Sequence, residues 1–154
     1  MAEPRVMIVM GSESDRPVMA ECAKRLTDLG VEFEMHVSSA HRNPDATRQL
    51  AREAAGRGVR VIVAGAGMAA HLAGACASET LLPVIGVPLE SGPVQGLDAL
   101  LATVMMPSGV PVATMAIGKA GAANAGILAA QILALDDAVL RDKLAAMRRA
   151  WRAG

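Results

Sequence analysis

The sequence predicts a three-layer α/β fold, with helices on both faces of a doubly wound parallel sheet. Three observations carry that prediction. Short apolar runs alternate with segments of helical period from Arg5 to Leu135, a pattern that implies parallel strands joined by right-handed crossovers. Composition points the same way: 53% of residues are hydrophobic but only 1% aromatic, with 15 Gly and 10 Met, so the core is aliphatic and backbones can approach closely. Finally, the second run sets Val31, Phe33, Met35 and Val37 against Glu32, Glu34 and His36, as a strand with one wet face does. That strand belongs at a sheet edge, which favours the flavodoxin-like order 2-1-3-4-5.

Each element follows from local signals. Arg5 to Met10 reads as a buried strand, broken by Gly11-Ser12-Glu13-Ser14-Asp15 before Val18, Cys22, Leu26 and Leu29 mark one face of a helix that stops at Gly30. Asn43 and Pro44 supply an N-cap and a first-turn proline for a helix running to about Ala55. Arg60 to Ala64 is a third strand, Gly65 to Met68 a tight loop, and Ala69 to about Glu79 a short helix of small residues. Leu82 to Val87 makes a fourth strand. A loop from Pro88 to Gly96 leads to a helix with Leu97, Leu100, Leu101 and Val104 facing inward, then to a fifth strand over Val110 to Ile117 and a helix over Gly118 to Leu135.

The 154 residues are read as one domain, with a core over about 5–135 and an extra C-terminal helix over about 136–152 that carries Leu140, Leu144, Met147 and Trp151 on one stripe. That surplus apolar surface points to a homo-oligomer. Fifteen basic and fifteen acidic residues cancel. With no basic run and no stacking aromatics, neither nucleic acid nor an anionic membrane is expected as a partner. No apolar stretch reaches the roughly 18 residues that span a bilayer, and no leader pattern follows Met1. Cys22 and Cys76 lack metal-ligand spacing and read as buried thiols in a reducing cytoplasm. The expected partner is a small molecule.

In a doubly wound sheet the ligand lies against the loops at the carboxyl ends of the strands. Here those loops are Gly11 to Arg16, Ser38 to Asn43, Gly65 to Met68 and Pro88 to Gly96. Ser12 and Ser14 place hydroxyls near a helix N-terminus suited to phosphate, while Asp15 either accepts from ribose hydroxyls or caps the helix. Arg42 offers a fork of donors for phosphate. His41 carries an imidazole, the side chain suited to both giving and taking a proton. His71 is either a ligand contact or a structural histidine, and His36 has no assigned role. Gly65-Ala66-Gly67-Met68-Ala69-Ala70 matches a dinucleotide fingerprint weakly, because it follows the third strand and Glu90 lies beyond Pro88. Gly118-Lys119 lacks the rest of a P-loop, and no histidines or acids show metal-ligand spacing.

Five segments carry a family resemblance: Val9 to Asp15, Ser39 to Pro44, Ala64 to Leu72, Leu82 to Pro88 and Asn124 to Leu133. In order and without large gaps, they resemble the successive motifs of the PurE family of purine biosynthesis. The resemblance implies a mutase that moves a carboxyl group from the exocyclic nitrogen of 5-(carboxyamino)imidazole ribonucleotide to ring carbon C4, with no metal, nucleotide or organic cofactor. A related branch carboxylates aminoimidazole ribonucleotide directly with carbon dioxide. That branch tends to carry lysine after the motif histidine, so Arg42 favours the mutase. A more distant alternative is a nucleotide-binding module without catalysis.

By the same resemblance, Ser12, Asp15 and Arg42 bind the ribose 5-phosphate with help from Ser14 and Ser39. His41 is the proton shuttle, the loop of Ala66, Gly67 and Ala69 before His71 contacts the migrating carboxylate through backbone amides, and His71 and Leu72 count among the substrate-binding residues. Such proteins are generally octamers. The chain departs from the family at Met68, where glycine is common, at Ala73, where proline is common, and at Met105, where glutamine is usual. Met68 would be strained if its φ were positive.

Overall fold

The computed structural model describes residues 2–154. Eleven strands and α-helices follow one another: β1 (Val6–Met10), α1 (Arg16–Leu29), β2 (Phe33–Val37), α2 (Pro44–Glu53), β3 (Val61–Gly67), α3 (Leu72–Ala77), β4 (Val84–Leu89), α4 (Leu97–Val104), β5 (Ala113–Thr114), α5 (Lys119–Leu133) and α6 (Ala138–Ala153), with single 3-10 turns at Glu13–Asp15 and Ala55–Arg57. All strands pair in parallel, in the order β2-β1-β3-β4-β5. The flavodoxin-like order expected from the wet face of the second strand is therefore present, with β2 at an edge.

Two apolar layers flank the sheet. Val6, Ile8 and Met10 face α1 and α5, packing on Met19, Leu26, Ala125 and Ala129, while Met7 and Val9 face Ala51 and Ala54 near α2 and Leu72 and Cys76 of α3. β1 is fully buried on both faces, as a central parallel strand must be. Its register, Met10 beside Val37 on one side and Gly65 on the other, ends β1 and β2 level and lets β3 run two residues further to Gly67. The loops that follow them therefore meet at one rim.

Several expectations are corrected. β3 runs on through Gly67 and β4 through Leu89, so the tight loop is shorter than Gly65 to Met68, and α3 begins at Leu72 instead of Ala69. Pro88 is tolerated in β4 because the ladder to β5 ends at Gly86, paired with Thr114. β5 keeps only Ala113 and Thr114 of the expected run; Pro111, which lacks an amide donor, precedes it. On α4, Ala99 and Thr103 are buried while Leu97, Leu101 and Val104 are exposed. The cause is a close approach: a Cβ on Gly86 would collide with the Thr103 and Val112 side chains, so only small residues fit beneath α4. Thr103 satisfies its buried hydroxyl by donating to the Ala99 carbonyl at 2.7 Å.

The C-terminal helix docks by its first half. Leu140 is buried, Leu144 and Met147 are half-buried, and Trp151 is 78% exposed, so the apolar stripe predicted for this helix leaves the core before its end. His36 does not simply face outward from β2 either: its Nε2 is buried 3.3 Å from Glu34 Oε1, and Glu34 also receives Arg57 Nη2 at 2.7 Å. Burial pushes the Glu34 carboxyl up, but Arg57 and His36 outweigh it and hold the group below its ordinary range.

Candidate active site

The four loops singled out in the sequence do converge. A cleft of about 270 Å³ is lined by Ser12, Ser14 and Asp15 after β1, Ser39 and His41 after β2, Ala66, Gly67, Ala69, His71 and Leu72 at and beyond the end of β3, and Ser91 after β4. Gly11, Ala40 and Met68 complete the wall.

The β1 loop is a tight turn built from its own polar side chains. Ser12 Oγ accepts the Ser14 amide at 3.4 Å and the Ser14 hydroxyl at 3.0 Å, while Asp15 Oδ2 accepts the Ser12 amide at 3.1 Å. Ser12 thus acts as acceptor twice and keeps its own proton to donate to an anion. Asp15 makes no capping bond to α1 itself, but with Ser12 it forms a capping box on the single 3-10 turn, Glu13–Asp15, that leads straight into α1, so the cap alternative holds for that turn. Burial raises the Asp15 carboxyl above its ordinary range, partly offset by the Ser12 amide.

The β2 loop is fixed from below. Thr47, buried on α2, donates its hydroxyl to the Asn43 carbonyl at 3.0 Å, so the 2.6 Å contact from Ser38 must be a donation to Thr47. Asn43 heads α2 by its backbone, and its side chain makes no capping bond. Ser39 Oγ accepts the Arg42 amide at 3.1 Å and also keeps a proton to donate. This scaffold presents His41 at the mouth of the cleft, where its Nε2 lies 2.9 Å from His71 Nδ1. Arg42 is not part of the lining: its guanidinium crosses to the β1 loop and donates to the Gly11 carbonyl at 3.0 Å.

Opposite lies the Gly/Ala loop. The amides of Ala70 and His71 fold back onto the carbonyls of Met68 and Ala69, each at 2.8 Å, and Met68 has φ 54°. The positive φ foreseen as a source of strain is therefore present. Gly67 has no Cβ for a reason, since one would stand 2.9 Å from Ser91 Cβ. That approach brings Ser91 into the cleft, a residue the sequence reading placed only within a loop. Its signal was available: it is the one hydroxyl in the fourth carboxyl-end loop.

Comparison with known proteins adds the family. A model described as AIR carboxylase matches residues 5–153. The chain belongs to the AIR carboxylase family. It is 56% identical over 128 residues to the N5-carboxyaminoimidazole ribonucleotide mutase of Pseudomonas aeruginosa, covering 83% of this chain and 78% of that protein. The mutase of the same name from Bacillus subtilis is 54% identical, over 92% of this chain and 88% of its own. Among solved structures, Treponema denticola PurE superposes with a TM-score of 0.86 at 27% identity, covering 97% of this chain and 92% of that one. Family membership and fold agree with the resemblance carried by the five segments.

No group of three His, Cys, Asp or Glu side chains is gathered for a metal among the described residues, and no helix there is long and apolar enough to cross a membrane. A second, larger groove of about 1080 Å³ lies where α6 stands away from α5, lined by Arg25, Ile127, Leu144, Met147, Arg148 and Trp151. Its lining holds neither a histidine nor an acid.

Proposed function

We propose that the chain is an N5-carboxyaminoimidazole ribonucleotide mutase, converting the carbamate nucleotide to 4-carboxy-5-aminoimidazole ribonucleotide. The observation that carries this reading is the position of His41 between a hydroxyl-rich turn and a Gly/Ala loop, in a chain more than half identical to proteins of that name. Ser12, Ser14, Asp15 and Ser39 take the ribose 5-phosphate end, with the first turn of α1 behind it. Arg42 joins them by turning from the Gly11 carbonyl to the phosphate. Ala66, Gly67, Ala69 and Leu72 form the wall against the carboxylate.

The chemistry needs one proton moved twice. A carbamate releases carbon dioxide once its nitrogen is protonated; the electron-rich C4 then captures the gas, and the C4 proton must leave to restore the aromatic ring. A histidine that first donates and then accepts performs both steps. The cleft supplies proximity by holding the released gas beside C4. The reaction as written is balanced without a cofactor.

The chain works as a homo-oligomer, an octamer, in the cytoplasm. Supporting assembly are Leu97, Leu101, Val104 and Met105 on and beside α4 and Trp151 on α6, all exposed in the single chain, more apolar surface than an isolated protein usually shows.

The test offers purified protein either the carbamate nucleotide or aminoimidazole ribonucleotide with excess bicarbonate, and follows the C4-carboxylated product. Efficient turnover of the first is expected. Turnover of the second alone would replace the mutase with a direct carboxylase.

A further inference from the structure

Of the two exposed histidines in the cleft, each is the other's hydrogen-bond partner. His41 Nε2 and His71 Nδ1 are 2.9 Å apart, with ring planes at 75° and centroids 4.9 Å apart. Two ring nitrogens at that distance share one proton, because two N–H groups would collide and two bare nitrogens would repel. Two neutral arrangements satisfy this. Either His41 donates from Nε2 and His71 keeps its own proton on Nε2, or both rings carry the proton on Nδ1. A neutral histidine favours the proton on Nε2, away from its backbone, so the first arrangement gives both rings their preferred form. The bond made by one ring nitrogen then decides what the other can do. No other side-chain hydrogen bond engages His41 among the described residues, so its Nδ1 is left for a substrate.

Resting on the mutase reading above, we infer that His71 is a positioning residue that holds the Nε2–H of His41, making His41 Nδ1 the nitrogen that gives and recovers the migrating proton. The His41 imidazolium passes its Nδ1 proton to the carbamate nitrogen. The N–C bond breaks with its electron pair left on nitrogen, releasing carbon dioxide. A π pair of the aminoimidazole forms the new C4–C bond, and the C4 proton then moves to Nδ1 while its bonding pair returns to the ring. No proton is gained or lost, and the Nε2–H of His41 goes on donating to His71 Nδ1 throughout. An acceptor behind an acid–base histidine follows the logic of the hydrolase triads. Here the acceptor is a neutral ring, with Asp15 in the same cleft and Arg42 next in the chain as the nearby charges.

Nitrogen NMR on isotope-labelled histidines reads the tautomer without any turnover. At a pH where both rings are neutral, His41 should be protonated on Nε2 and bare on Nδ1 in the wild type, and mixed in His71→Leu. A wild-type His41 protonated on Nδ1 would overturn the inference. In steady-state kinetics, His71→Leu should lower kcat at least about tenfold, the scale for losing an orienting partner, while KM stays within about threefold. His71→Asn, whose amide oxygen reaches the Nδ1 position, should recover most of that loss. Adding His71→Leu to His41→Asn should cost nothing further, because residues acting as a unit are not additive. A raised KM at unchanged kcat, or losses that multiply in the double variant, would make His71 a substrate ligand instead. If the wild type left the carbamate nucleotide unconverted, the mutase reading would fail, and the NMR measurement would still decide the tautomer.

Discussion

Asp15 Oδ2 accepts the Ser12 amide at 3.1 Å, so the carboxylate closes a capping box with Ser12 on the single 3-10 turn, Glu13–Asp15, that leads into α1. An anion arriving at this turn meets the Ser12 hydroxyl, whose own proton is not used within the turn. The arrangement has a cost, because burial holds the Asp15 carboxyl above its ordinary range.

A carboxyl raised in the folded state contributes stability that is complete below its unfolded value and is lost as pH rises through the folded one. Ionised Asp15 therefore weakens the fold at neutral pH. Asp15→Asn keeps an oxygen for the Ser12 amide and removes the charge. It should melt higher than the wild type at neutral pH, with the gap closing in acid, and should bind nucleotide more weakly. An unchanged Tm at neutral pH would count against this account of the turn.

Gly67 allows Ser91 into the cleft, since an added Cβ would stand 2.9 Å from Ser91 Cβ and 3.4 Å from the Leu89 carbonyl. Gly67→Ala should push that loop back and lower kcat/KM by about ten- to hundredfold, the scale of a misplacement near one ångström. Full activity in this variant would show that Ser91 need not approach so closely.

Met68 holds φ 54° with its side chain exposed over Gly92. Left-handed backbone costs an ordinary residue about 1–2 kcal/mol, and glycine's greater unfolded freedom returns about 0.4–1 kcal/mol. Met68→Gly should therefore stabilise the protein by about 0.5–1 kcal/mol, read as a higher urea midpoint at unchanged slope. A lower midpoint would mean that the contact over Gly92 outweighs the strain.

Burial pushes the thiols of Cys22 and Cys76 up to about 12, so neither presents a thiolate at neutral pH. Iodoacetamide should label neither in the native protein and both in guanidinium. Rapid native labelling would show that one of the two layers opens.

Much of this fold was legible because local and tertiary preferences agree. The alternation in Val31 to Val37 placed β2 at an edge, and the apolar run of β1 placed it inside. What failed depended on approach distances between elements. Outward Leu97 and Leu101 follow from Gly86 sitting under Thr103, a contact between segments far apart in sequence. The exposure of Trp151 reflects how far α6 diverges from α5, which its own periodicity does not encode. In the cleft, His41, Ser12 and Asp15 were readable as loop residues at strand ends. The His41–His71 bond was not, because it joins the β2 and β3 loops across the sheet order.

Central to the account is one histidine that moves one proton twice. The most direct measurement compares His41→Asn with the wild type, in binding of the carbamate nucleotide and in its turnover. Binding should survive while turnover falls by at least about a hundredfold, the usual scale for a general acid–base group. Unchanged turnover would contradict it.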